Sequence, residues 1–179
     1  MLKSHQNLVA KMFDHKILLL GSNGQIGSNF LNIVDKQMNV FHPTKKEFDK
    51  DKISSLINLF ERIKPSIIIN TIAFTNVELA EKKREYADYL NHKFPEIIAN
   101  WCKTNKCFLV HYSTDYVFNV KNKKPISEDQ EACPISVYGK TKSKGDLAII
   151  KSGCNSVILR CSWVYSFTHI SFLQKLIQK

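Results

Sequence analysis

Tyr138 and Lys142 stand four residues apart in the stretch Tyr138-Gly139-Lys140-Thr141-Lys142. On a helix, residues at that spacing lie one above the other on one face. A phenol beside an ammonium is a device for moving protons. Tyr ordinarily ionises near pH ~10, and a close positive charge favours the phenolate. Lowering that value by roughly two to three pKa units takes about 3–4 kcal/mol of differential interaction. A phenol tuned in this way gives or takes a proton near neutral pH, as general acid–base catalysis requires. Tyr-x-x-x-Lys also occurs on solvated helix faces, so the elements that would position the pair decide its meaning.

Those elements alternate. Short apolar runs at residues 16–20, 39–42, 66–70, 107–112 and 156–160 read as strands buried in a parallel sheet. Between them, apolar residues recur at helical spacing over residues 26–34, 53–63, 85–105 and 136–151, with a further helix expected over 169–178. Pro95 is expected to kink or break the third of these helices. Residues 119–134 are polar and contain proline, hence a loop. Strands alternating with helices imply right-handed βαβ units. The expected fold is α/β: a Rossmann-like, doubly wound parallel sheet of five strands, in the order 3-2-1-4-5, with helices on both faces. Residues 1–15 lack periodicity and are expected to form an N-terminal tail to a single domain over 16–179.

The net charge of +10 arises from 26 Lys and Arg against 16 Asp and Glu in 179 residues. The basic residues are dispersed and not interleaved with aromatics, which argues against a nucleic-acid surface. Attraction of phosphorylated small molecules is the more modest use of the charge. The five cysteines have no metal-ligand spacing and suit a reduced, cytoplasmic protein. No apolar run approaches the about 18 residues of a membrane span.

Gly21-Ser22-Asn23-Gly24-Gln25-Ile26-Gly27 joins the first strand to the first helix. Glycines there permit a tight turn, close approach of a pyrophosphate to the backbone, and close helix–strand packing. The helix N-terminus adds free N–H groups and a positive dipole end. No acidic residue stands directly at the end of the second strand to take a ribose diol. His42, Thr44, Lys45 and Lys46 follow it instead, which favours NADP(H) over NAD(H).

The glycine turn together with Tyr138 and Lys142 resembles the extended branch of the short-chain dehydrogenase/reductase superfamily. More specifically, residues 70–81 resemble the N-A-A-A-x-T-x-V-D-x-A-E stretch of dTDP-4-dehydrorhamnose reductases. Residues 111–118 (His-Tyr-Ser-Thr-Asp-Tyr-Val-Phe), 137–142 with Gly145, and 159–165 (Leu-Arg-Cys-Ser-Trp-Val-Tyr) are similar to further motifs of that family. The resemblance implies that Tyr138 donates a proton to the sugar's C4 oxygen. Lys142 would hold the nicotinamide ribose and depress the Tyr138 pKa, and Thr114 would hydrogen-bond the reacting oxygen. It also implies that Gly21, Asn23, Gly24, Gln25, Ile26 and Gly27 cradle the pyrophosphate of NADPH, with NADH also possible. Asp49 would meet the adenine, while Ala73, Phe74, Thr75 and Tyr112 would flank the cofactor ribose. Asn91 would support the lysine through water. Val77, Asp115, Tyr116 and Trp163 would touch the dTDP-sugar substrate.

The implied reaction is reduction of dTDP-4-dehydro-L-rhamnose to dTDP-L-rhamnose in nucleotide-sugar and cell-surface polysaccharide biosynthesis. Two other readings stay open: a nucleotide-binding regulatory subunit without catalysis, and another extended-family enzyme such as an epimerase or dehydratase. Tyr116, directly after Thr114-Asp115, disfavours a dehydratase, which usually carries an acid there. Some relatives bind Mg²⁺ through a Glu early in the first helix; Asn29 stands near that position, so no metal is expected. Thr71 and Ile72 replace two alanines, and Glu78 replaces an Asp. His111 reads as an interior histidine with satisfied nitrogens. The family runs on for roughly another hundred residues, which supply most of the sugar pocket. A chain lacking them would expose Phe172, Leu173, Leu176 and Ile177, and homodimerisation is a fair expectation.

Overall fold

A computed structural model of the chain describes residues 14–119 and 125–166. Five strands form one parallel sheet: β1 (Lys16–Leu20), β2 (Asn39–Phe41), β3 (Ile67–Asn70), β4 (Phe108–Thr114) and β5 (Ser156–Cys161). The helices are α1 (Gln25–Ile33), α2 (Ile53–Ile63), α3 (Val77–Lys82), α4 (Arg84–Asp88), α5 (Phe94–Asn105) and α6 (Val137–Ser152). A π-helical turn, Tyr89–Lys93, joins α4 to α5, and a 3₁₀ turn, Asp115–Val117, follows β4.

The period-2 geometry of a strand divides each apolar run between two cores. Leu18, Leu20, Ile68 and Leu109 point to one face, where α2, α5 and α6 bury them with Leu56, Phe60, Ile98 and Ile149. Ile17, Leu19 and Ile69 point to the other, where Phe30 and Leu31 of α1 meet them. Each fully buried Leu is worth about 1.5–3 kcal/mol of transfer free energy. Helices therefore cover both faces, as the alternating pattern predicts.

The strand order is β2-β1-β3-β4-β5, not 3-2-1-4-5. β3 pairs with β1 instead of lying outside β2. A single strand–helix unit separates β1 from the reversal, so α2 carries the chain back across β1. Right-handed crossovers running in opposite directions place their helices on opposite faces. The α1 and α2 sides therefore diverge at the β1/β3 boundary, and the sheet opens a crevice there at its carboxyl end.

Pro95 shapes the long helical stretch as its chemistry demands. Lacking an N–H, it cannot bond the Asn91 carbonyl four residues earlier. The helix widens locally, and the Phe94 N–H reaches back to Tyr89 O. The freed Asn91 carbonyl faces α6 at Gly145, where any Cβ would lie 2.1 Å from that oxygen. The helix expected over 169–178 and the tail over 1–13 lie outside the described residues.

Candidate active site

The first turn is built as its glycines require. Gly21 adopts φ +91°, and a Cβ there would sit 2.4 Å from Thr71 Oγ1. At Gly27 a Cβ would come within 2.3 Å of the Gly21 carbonyl, so only glycine lets α1 pack this closely on the turn. Gly24 caps α1 without a side-chain bond, and no acidic residue occupies the first turn. The opening N–H groups of α1 thus carry a positive partial charge with no side chain to neutralise it. Gln25 Nε2 donates to Val164 O at 2.9 Å and ties this turn to the segment after β5.

Opposite lies the N-terminal end of α6. Ser136 caps it by accepting from Gly139 N at 3.1 Å. Glu81, from α3, accepts from Val137 N at 2.8 Å. A carboxylate at a helix N-terminus is favourable by dipole and hydrogen bond together. Gly139 brings the helix against the 3₁₀ turn, since a Cβ would lie 2.3 Å from Tyr116 O. These contacts aim Tyr138 across the end of β4, its ring edge-on to Tyr116 at 5.6 Å.

Thr114 ends β4 and is buried. Its hydroxyl accepts from Tyr116 N at 3.2 Å and donates to Asp115 Oδ1 at 3.1 Å. Asp115 Oδ2 accepts from Ser162 Oγ at 2.9 Å, so its carboxylate joins the ends of β4 and β5. Burial pushes the Tyr138 phenol above its ordinary value, and a hydrogen bond with Thr114 works against that rise. This is opposite to the depression expected from Lys142. The reason is geometric: the lysine head lies deeper, donating to Tyr112 O at 2.6 Å and meeting His111 Nε2 at 3.2 Å. Lys142 itself is buried, and desolvation pushes its pKa down to about 8.

One turn further along α6, Asp146 is 2 % exposed. It accepts from Ser113 Oγ and Arg160 Nε, at 2.9 and 3.1 Å. Burial raises its pKa, and those two partners together with the Lys142 charge oppose the rise.

A cleft of about 460 Å³ connects the two halves at the carboxyl end of the sheet. Of the residues singled out in the sequence, Gly24, Gln25, Ile26, Ala73, Thr75, Val77, Tyr112, Thr114, Asp115, Tyr116, Tyr138, Lys142 and Trp163 line it. Gly21, Asn23 and Gly27 shape its turn without lining it. Phe74 packs edge-on against Tyr86, with centroids 5.7 Å apart. Asn91 makes no direct hydrogen bond to Lys142. Its amide holds the Phe74 backbone, accepting from Phe74 N at 2.8 Å and donating to Phe74 O at 3.1 Å, and it also donates to Thr141 Oγ1 at 3.1 Å. Asp49 accepts from Asp51 N at 3.0 Å, outside this cleft. Asn29 donates to Gln25 O at 2.7 Å and to Ser166 Oγ at 2.9 Å.

Ser113, Cys161, Ser162 and Val164 also line the cleft. They had no assigned role in the sequence, although each lies within or beside a quoted motif. A strand end supplies cleft residues from both sides of its last polar pair, which was the available signal.

The fold and this cleft define a Rossmann-like chain of the short-chain dehydrogenase/reductase type. Comparison with known proteins is more specific. The chain belongs to the RmlD substrate binding domain family, which matches residues 15–179. It is 31% identical over 163 residues to a dTDP-4-dehydrorhamnose reductase of Burkholderia thailandensis, covering 91% of this chain and 55% of that protein. The corresponding Escherichia coli K12 reductase is 33% identical over 154 residues, covering 84% and 52%. A crystal structure of the Bacillus anthracis dTDP-4-dehydrorhamnose reductase in complex with NADP superposes with a TM-score of 0.86 at 28% identity, covering 92% of this chain and 59% of that one. The chain thus spans about half the length of the curated relatives it matches. Among the described residues, no helix is long and apolar enough to cross a membrane.

Proposed function

We propose that this chain carries the cofactor-binding and proton-donating machinery of an NADP(H)-dependent dTDP-4-dehydrorhamnose reductase. The observation that carries this reading is the convergence of Thr114, Tyr138 and Lys142 on one wall of the switch-point cleft, with the uncapped N-terminus of α1 on the other. That donor set suits a dinucleotide: the α1 N–H groups and the glycine turn would take the pyrophosphate. Thr75, Ala73 and Tyr112 would line the ribose and nicotinamide. Glu47, the acidic residue nearest the end of β2, is occupied: its Oε2 accepts from Thr44 N and Thr44 Oγ1 at 3.0 and 2.9 Å. With that carboxylate engaged, His42, Lys45 and Lys46 favour a 2′-phosphate, hence NADPH with NADH as a weaker alternative.

When bound, NADPH supplies a hydride to the C4 carbonyl of dTDP-4-dehydro-L-rhamnose. Tyr138 gives the phenolic proton to the C4 oxygen, and the products are the alcohol, dTDP-L-rhamnose, and the oxidised cofactor. Thr114 orients the carbonyl from the end of β4. Val77, Asp115, Tyr116 and Trp163 form the sugar-nucleotide side of the cleft. We place the protein in the cytoplasm, a reading supported by its five free cysteines. Homodimer formation stays a proposal; the apolar residues that suggested it lie outside the described residues.

The test is incubation with NADPH and dTDP-4-dehydro-L-rhamnose while the absorbance of the reduced nicotinamide is followed. The expected result is substrate-dependent oxidation that Tyr138→Phe slows by about 10²–10⁴-fold. Oxidation that Tyr138→Phe leaves unchanged removes the assigned proton donor. NADPH binding without any reduction favours a non-catalytic role.

A further inference from the structure

Beneath the cleft lies a buried chain of polar groups that the proposed reaction does not use. His111 and Asn70 are fully buried, and Lys142 is 1% exposed. His111 Nδ1 lies 3.1 Å from Asn70 Nδ2, and His111 Nε2 lies 3.2 Å from Lys142 Nζ. Asn70 Oδ1 accepts from Ile72 N at 3.1 Å.

The proton positions follow from what each group can do. A backbone N–H only donates, so Ile72 fixes the Asn70 oxygen toward itself and turns the amide nitrogen toward His111. That nitrogen also only donates, so His111 Nδ1 must accept. A neutral imidazole with a bare Nδ1 carries its proton on Nε2. The Nε2–H faces Lys142 Nζ: a neutral amine there can accept it, and an ammonium, which has no lone pair, cannot.

We propose that His111, locked in its Nε2–H form by Asn70, is a positioning residue that disfavours the Lys142 ammonium and so eases release of its proton, while Nζ donates to the Tyr112 carbonyl in either state. Protonating Lys142 sets two donors face to face. Turning the imidazole over moves the same misfit to Asn70, and flipping that amide moves it to Ile72 N–H. Burial acts in the same direction, keeping His111 well below its usual value and Lys142 at about 8. The other groups that face Lys142 are Asp146 from its own helix and Cys161 from β5, and both favour the ammonium. Asp146 is shared with Arg160 and Ser113, which spreads its pull. His111 thereby sets the pH range in which Lys142 can assist Tyr138, a consequence that rests on the reductase reading.

The NMR measurements need no cofactor, so their outcome is independent of that reading. Nitrogen-15 NMR of histidine-labelled protein reports the His111 tautomer. Carbon-13 NMR of labelled lysine reports the Lys142 titration. Expected are a bare Nδ1 with a protonated Nε2, and a Lys142 midpoint near pH 8. Asn70→Asp keeps an acceptor for Ile72 N–H but places a second acceptor against Nδ1. It should invert the tautomer and favour the Lys142 ammonium about tenfold or more at a given pH. NADPH affinity, which should weaken up to about tenfold per pH unit above pH ~8 in the wild type, should keep its strength to higher pH in that variant. Protonated Nδ1 in the wild type overturns the proposal. So does an unchanged tautomer in Asn70→Asp. The wild-type measurement stands alone if the variant fails to fold.

Discussion

A lysine sealed beneath a cleft should weaken the fold that holds it, by an amount that depends on pH. Lys142 falls from an ordinary 10.5 to about 8 on folding. At ~1.36 kcal/mol per pKa unit, this is a cost of about 3 kcal/mol near neutral pH. The unfolded chain binds more protons than the folded one between pH ~8 and pH ~10.5, so wild-type stability rises with pH across that window. Lys142→Met keeps the aliphatic stem and removes the titration. The variant loses the bonds to Tyr112 and His111, an offset of about 1–3 kcal/mol that does not change with pH. The difference between variant and wild type does change: the variant's relative stability should fall by about 2–3 kcal/mol between pH ~7 and pH ~10. Cysteines and tyrosines that titrate in the same range are common to both proteins and cancel. Urea unfolding at several pH values provides the comparison. A difference that is flat across this range refutes the depressed lysine and the reasoning built on its burial.

Two further substitutions test how α6 is aimed. Gly139→Ala places a Cβ 2.3 Å from Tyr116 O; it should destabilise by about 1–3 kcal/mol in urea unfolding and displace Tyr138, lowering turnover more than cofactor affinity. Glu81→Gln keeps an acceptor for Val137 N–H but removes the charge beside the α6 N-terminus, so thermal unfolding should reveal a loss of only about 0.3–1 kcal/mol.

Much of the site was legible because its signals are local. The glycine turn is set by steric rules over seven residues, and the Tyr138–Lys142 spacing fixes a shared helix face whatever surrounds it. Strand positions followed from apolar runs, because a strand buried on both faces admits few polar residues. Strand order did not, since Ile67–Asn70 reads the same on either side of β1 and only the crossover direction separates the two. The chemical state of Tyr138 was also hidden. Its rise depends on burial and on where the Lys142 head goes, which is fixed by His111 and Tyr112, about 30 positions away. Asn91 shows the same limit: the sequence did not show that its amide holds the Phe74 backbone and Thr141 Oγ1, contacts made across 17 and 50 positions.

Cofactor binding requires first that a dinucleotide phosphate meet the opening turn of α1. Gln25→Glu adds an acid where a helix welcomes one, worth about 0.3–1 kcal/mol, and loses the Nε2–H donated to Val164 O, a cost of about 0.5–1.5 kcal/mol, so the fold should hold to within about 1 kcal/mol. The same carboxylate would face the pyrophosphate. Titration of NADPH against tryptophan fluorescence, with Trp163 lining the cleft, should give saturable binding in the wild type and clearly weaker binding in the folded variant. No saturable binding in the wild type, or an affinity that Gln25→Glu leaves untouched, contradicts the account.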